Sequence, residues 1–117
     1  MDIGHLAANI GAAITLLLGL LGLLSPAKAA AFTSIAPVGP NGTSEIRATY
    51  GGLFFAMGLL CLTQQLEMIF LTVAAAWIGA AGGRLWSIVI DRNTSRKNLG
   101  GVGFEAVIGC LLTGASW

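Results

Sequence analysis

The sequence predicts an all-α integral membrane protein, a four-helix bundle with both termini on the same, non-cytoplasmic side. Three observations carry this. Hydrophobic residues make up 56% of the 117-residue chain and charged residues only 9%, with a mean hydropathy of +0.84. Soluble domains carry about 25% charge, so a water-soluble fold of this size would lack the polar surface to cover itself. The apolar residues also fall into four runs, each near the ~20 residues that cross ~30 Å of hydrocarbon at ~1.5 Å per residue. Finally, the breaks between the runs hold all the proline and most of the asparagine and charge. The length suits one transmembrane domain, residues 1–117. A net charge of +1 gives no basic face for nucleic acid.

The first helix is expected over residues 5–24, ended by Ser25-Pro26, because proline lacks a backbone donor and restricts the residue before it. The run 16–24 followed by Ala27-Lys28-Ala29 also fits a signal peptide, but the first five residues contain no lysine or arginine, so it is read as a span. Residues 25–45 are expected to be a loop, with Pro-Asn-Gly at 40–42 as a turn and a short interfacial segment within 30–35. Thr43 or Ser44 can cap the second helix, expected over 46–66, with Glu45 at the positive end of its dipole. The polar break at 63–67 predicts a tight hairpin into the third helix, 68–90, where Trp86 suits the membrane interface. A charged turn then leads to the fourth helix, 99–117, interrupted only by Glu105.

Small residues recur every four positions as Ala48, Gly52, Ala56 and again as Ala75, Gly79, Gly83. Such stripes let helix backbones approach closely, so both are read as helix-packing faces.

Four spans place the first and third loops together. All six basic residues (Lys28, Arg47, Arg84, Arg92, Arg96, Lys97) fall on that side, which the positive-inside bias assigns to the cytoplasm. A charge at mid-membrane costs ~2.5–3.5 kcal/mol on insertion scales, so Arg84 and Glu105 should find partners. Each lies about seven residues from the third loop, roughly 10 Å deep. Equal depth on antiparallel neighbours predicts an Arg84–Glu105 ion pair. Arg84, Ser87 and Asp91 share one helix face, and Arg47 and Tyr50 another. The candidate buried polar cluster is therefore Glu45, Arg47, Tyr50, Arg84, Ser87, Asp91 and Glu105. Arg47 or Arg92 could neutralise Asp91, or Tyr50 could donate to a carboxylate. The cluster reads first as a lock on helix register and second as a pocket for a headgroup, small anion or proton.

No catalytic, cofactor or metal site is expected. His5 and Asn9 form an interfacial pair with no second ligand at metal spacing. Gly51-Gly52 and Gly82-Gly83 lack the frame of a phosphate loop. No serine stands with a histidine and an acid in a recognisable arrangement. Cys61 and Cys110, both in apolar runs, act as small hydrophobes.

The stretch Glu45-Ile46-Arg47-Ala48-Thr49-Tyr50-Gly51-Gly52, the stretch Gly83-Arg84-Leu85-Trp86-Ser87 ending at Asp91, and the acid at Glu105 resemble a bacterial membrane family. It is the domain-of-unknown-function family numbered 4345, made of small four-helix proteins. The resemblance implies four spans in a bacterial inner membrane and implies no activity. Residues and resemblance together predict a non-enzymatic accessory subunit that packs against a larger membrane complex or against itself, in contact with lipids. The alternative is a binding or transport module for a small molecule, lipid headgroup, proton or ion, built on the charged cluster.

Overall fold

The structure, a computed structural model, describes residues 2–117. It is all-α among the described residues. Helix α1 (Ile3–Leu24) is followed by a short α2 (Pro26–Thr33). The next helical run comprises α3 (Gly39–Glu45), a π-helical segment (Ile46–Leu53) and α4 (Phe54–Gln64). After it come α5 (Glu67–Asp91), α6 (Arg96–Leu112) and a final 3-10 turn (Thr113–Ser116). Four stretches are long and apolar enough to cross a membrane: Ile3–Leu24, Gly39–Gln64, Glu67–Asp91 and Arg96–Ser116.

The boundaries depart from expectation mainly at residues 25–45, which are largely helical rather than a loop. Pro26 stops α1 but opens α2 at its first position, where a missing N–H costs nothing. Helix α2 closes on Ser34 in the left-handed region, its N–H donating to the carbonyls of Ala30 and Ala31. Pro40 likewise sits at the start of α3, so the second span begins at Gly39 rather than at residue 46. Gln65, also left-handed, ends α4, and Glu67 starts α5 with a carboxylate at its positive end. Ser95 caps α6, its Oγ accepting the Asn98 N–H at 3.2 Å.

The chain divides into two compact units: the start of α1 to Gly11 with Leu66–Trp117, and Ala12–Gln65. In the first, α5 packs along α6. Phe70, Val73, Ala74, Trp77 and Ala81 are buried from α5, and Ile108, Gly109 and Leu112 from α6. Gly109 lets α6 approach closely: an added Cβ would meet Ile78 Cγ1 at 2.6 Å and the Ala74 carbonyl at 3.4 Å. Gly4 and Gly114 meet backbone to backbone.

In the second unit, α1 packs on the second span through glycines from both. A Cβ on Gly19 would run into the Phe55 backbone, and one on Gly22 into the Tyr50 carbonyl. From the other side, Gly51 abuts Gly22 and Leu23, and Gly58 abuts Ala12 and Leu16. Beside this seam, Ala29 and Ala30 of α2 form a small core with Ile46, Leu21 and Tyr50.

The packing face of the second span is therefore not the expected Ala48–Gly52–Ala56 stripe. Ala48 and Ala56 are exposed and Gly52 only half-buried. The buried positions are Ile46, Gly51, Gly58 and Cys61. The step from Ile46 to Gly51 is five residues, the π repeat, and the later steps of seven and three are α-helical. The extra residue in the π segment turns the face by about 100° relative to a continuous α-helix, so four-residue spacing loses its phase.

The Ala75–Gly79–Gly83 stripe of α5, expected as a helix-packing face, meets no helix of its own unit. All three residues are exposed, and no atom lies within 4 Å of a Cβ built on Gly79 or Gly83.

Candidate functional site

The polar groups assemble within each unit separately. In the first, α5 and α6 carry Arg84 and Glu105, and Arg84 Nε donates to Glu105 Oε1. The ion pair expected from equal depth is present. Glu105 is the more enclosed partner, its side chain 12% exposed against 36% for Arg84. Arg84 Nη1 reaches Asn98 Oδ1 at 3.4 Å, and Asn98 Nδ2 donates to the Asn93 carbonyl at 2.8 Å. Asn98, 7% exposed, thus ties the guanidinium to the loop before α6. Gly101 leaves room for the arginine: a Cβ there would lie 2.8 Å from Arg84 Nε.

Asp91, at the unfavourable carboxyl end of α5, takes its hydrogen bond from Ser87 Oγ, one turn back, at 2.7 Å. Neither arginine nor tyrosine fills that role among the described residues. Arg92 follows in the left-handed region, past the end of the helix.

In the second unit, the Arg47 guanidinium donates to the Leu23 carbonyl. The last four carbonyls of a helix lack intrahelical partners, and the break at Pro26 removes the donor that continuation would have supplied. Arg47 therefore caps α1, a placement that the negative end of the helix dipole also favours. Tyr50 stacks obliquely on Phe54, ring centroids 5.9 Å apart, while its backbone carbonyl meets Gly22. Glu45 and Tyr50 face a cleft of about 380 Å³ whose other wall is the extended segment 35–38 between α2 and α3. The seven residues of the expected cluster thus sort into Arg84, Ser87, Asp91 and Glu105 in one unit and Glu45, Arg47 and Tyr50 in the other.

At the amino end of α1, the Asp2 carboxylate accepts the His5 N–H at 2.7 Å and contacts His5 Nδ1 at 3.1 Å. The His5 backbone hydrogen bond, then the side-chain contact, hold the Asp2 carboxyl below its ordinary value. Asn9 Nδ2 donates to the His5 carbonyl rather than to its ring. Ser116 Oγ donates to Glu67 Oε1 at 3.1 Å, joining the end of the chain to the first turn of α5.

Two features lie beyond the sequence-based expectations. Asn98 carried a signal, since it lies seven residues before Glu105 on the same face of α6. The small face of α1 carried one too: Gly4, Ala8, Gly11, Thr15, Gly19 and Gly22 recur at helical spacing and all are buried. Among the described residues no group of three His, Cys, Asp or Glu side chains could hold a metal ion, and both cysteines are free.

Four apolar spans, with ionised groups paired or set near helix ends, define a small multi-span membrane protein. The family described as Domain of unknown function (DUF4345) matches residues 5–115, and the chain belongs to it. Comparison with curated proteins and with solved structures gives no match.

Proposed function

We propose that the protein is an accessory subunit of a larger assembly in a bacterial inner membrane, a four-helix bundle docked through the outer face of α5. The basic residues lie in or near the connections at 25–38, which include α2, and at 92–95, and favour those connections in the cytoplasm, with both termini outside. The partner is another integral membrane protein or a second copy of this chain, surrounded by lipid. The reading involves no catalysis.

The observation that carries it is the contrast between two sets of glycines. Those of α1 and the second span press against backbone within their unit. On α5, Gly79, Gly82 and Gly83 meet nothing, although glycine costs about 1 kcal/mol relative to alanine inside a helix. Lipid tails gain nothing from glycine, whereas a neighbouring helix gains close approach. The rival reading, a transport or binding pocket made by the charged cluster, is weakened because Arg47, Arg84, Ser87, Asp91 and Glu105 already have partners.

Purification in mild detergent tests the proposal. Gly79→Leu fills an open position, so the variant should accumulate and keep its helical content while losing a stoichiometric partner that the wild type retains. Retention of that partner by Gly79→Leu, or a wild type that purifies as a lone chain, contradicts it.

A further inference from the structure

The cleft beside Glu45 is independent of the α5 face. Its walls include Ile35, Pro37, Val38, Glu45, Thr49 and Tyr50. Three apolar residues come from the extended segment and three polar ones from the mouth of the second span. The position of that mouth follows from length. Gly39–Gln64 is 26 residues, about 39 Å as a helix against ~30 Å of hydrocarbon. The polar stretch Gly39–Glu45 supplies the excess, so Glu45 lies at headgroup level. The π-helical geometry begins there, at Ile46, and such segments are frequent at functional sites.

The electrostatics favour one kind of occupant. No hydrogen bond or ion pair engages the Glu45 carboxylate among the described residues. The nearest cation in sequence, Arg47, is committed to the Leu23 carbonyl. The cleft therefore offers an uncompensated anion and the Tyr50 ring beside apolar surface. An ammonium group satisfies both, by charge with the carboxylate and by cation–π attraction with the ring. An apolar tail would lie along Ile35, Pro37 and Val38.

We infer that this cleft seats the ammonium headgroup of a membrane lipid, with Glu45 as counter-ion and Tyr50 as the aromatic wall. An anionic headgroup is disfavoured by the same carboxylate.

The full chain, reconstituted in nanodiscs of equal parts phosphatidylethanolamine and phosphatidylglycerol and released into mild detergent, should retain the ethanolamine lipid about tenfold over the glycerol lipid by native mass spectrometry. Glu45→Gln should bring that ratio to near unity, and Glu67→Gln, which removes a carboxylate elsewhere, should leave it unchanged. Val38→Trp, at a position 87% exposed on the cleft wall, sets a bulky ring at its mouth with the charge intact and should also lose the lipid. Equal retention of both lipids by the wild type overturns the inference. So does an unchanged ratio in Glu45→Gln or Val38→Trp. Binding of free ethanolamine without retained lipid, or capture of a polypeptide and no lipid by a photoreactive side chain at position 38, overturns the lipid assignment.

Discussion

At the scale of single residues, the Arg84–Glu105 pair matters most to stability. Removing one member of a fully buried pair costs about 3–5 kcal/mol, because a charge is left without compensation. Arg84 is partly exposed and its long side chain can reach toward the headgroup layer, which lowers that figure here to about 1–3 kcal/mol. Arg84→Met and Glu105→Gln should each lower thermal stability in detergent by this amount, while the exchanged pair Arg84→Glu with Glu105→Arg recovers part of it. An exchange no better than either single change contradicts the pairing. Asp2 makes the amino end of α1 sensitive to pH. Its carboxyl is lowered in the folded state, so its contribution is present above the unfolded value near 3.8 and is lost as pH falls through the folded one. Amide exchange at His5 should quicken over that acidic window, and Asp2→Asn should abolish the transition. The Arg84–Glu105 partnership was legible in the sequence because depth follows from counting residues to a helix end. The partners of Arg47 and Asp91 were not, because helix-end carbonyls and one-turn hydroxyls compete for charged side chains and leave no mark on composition.

At the scale of elements, the packing of α1 against the second span depends on glycine. At Gly19 a side chain would meet the Phe55 backbone, its Cβ 2.6 Å from Phe55 Cα, and backbone cannot yield as a side-chain tip does. Gly19→Ala should therefore destabilise the protein by about 1–3 kcal/mol, the usual cost of overpacking. Gly82→Ala, on an open face of α5, should stabilise it by up to about 1 kcal/mol through helix propensity. Thermal unfolding of the two variants in one detergent separates these signs, and loss of stability in both contradicts the packing assignment. The spans themselves were readable from apolar length. The helices α2 and α3 were not, because Pro26 and Pro40 signal an ending and a beginning equally well. The face of the second span was hidden because a π segment shifts phase, which four-residue spacing cannot reveal.

At the scale of the whole molecule, exposed apolar side chains cover every span. Leu6 and Leu17 of α1, Leu59 and Leu60 of α4, Leu85 and Val89 of α5 and Val107 of α6 are all exposed. In water such surface would drive aggregation; in lipid it is the correct exterior. That part of the fold was fully legible, because the bilayer constrains composition more strongly than any soluble core does. The role was less legible, since a glycine stripe looks the same whether it serves an internal seam or an external one. Only placement separated the α1 glycines from those of α5. The direct test is photo-crosslinking in intact membranes from a reactive side chain at position 79, with position 17 as a lipid-facing reference. A discrete protein adduct from position 79 and only lipid adducts from position 17 is the predicted result, and lipid adducts alone from both positions would contradict the account.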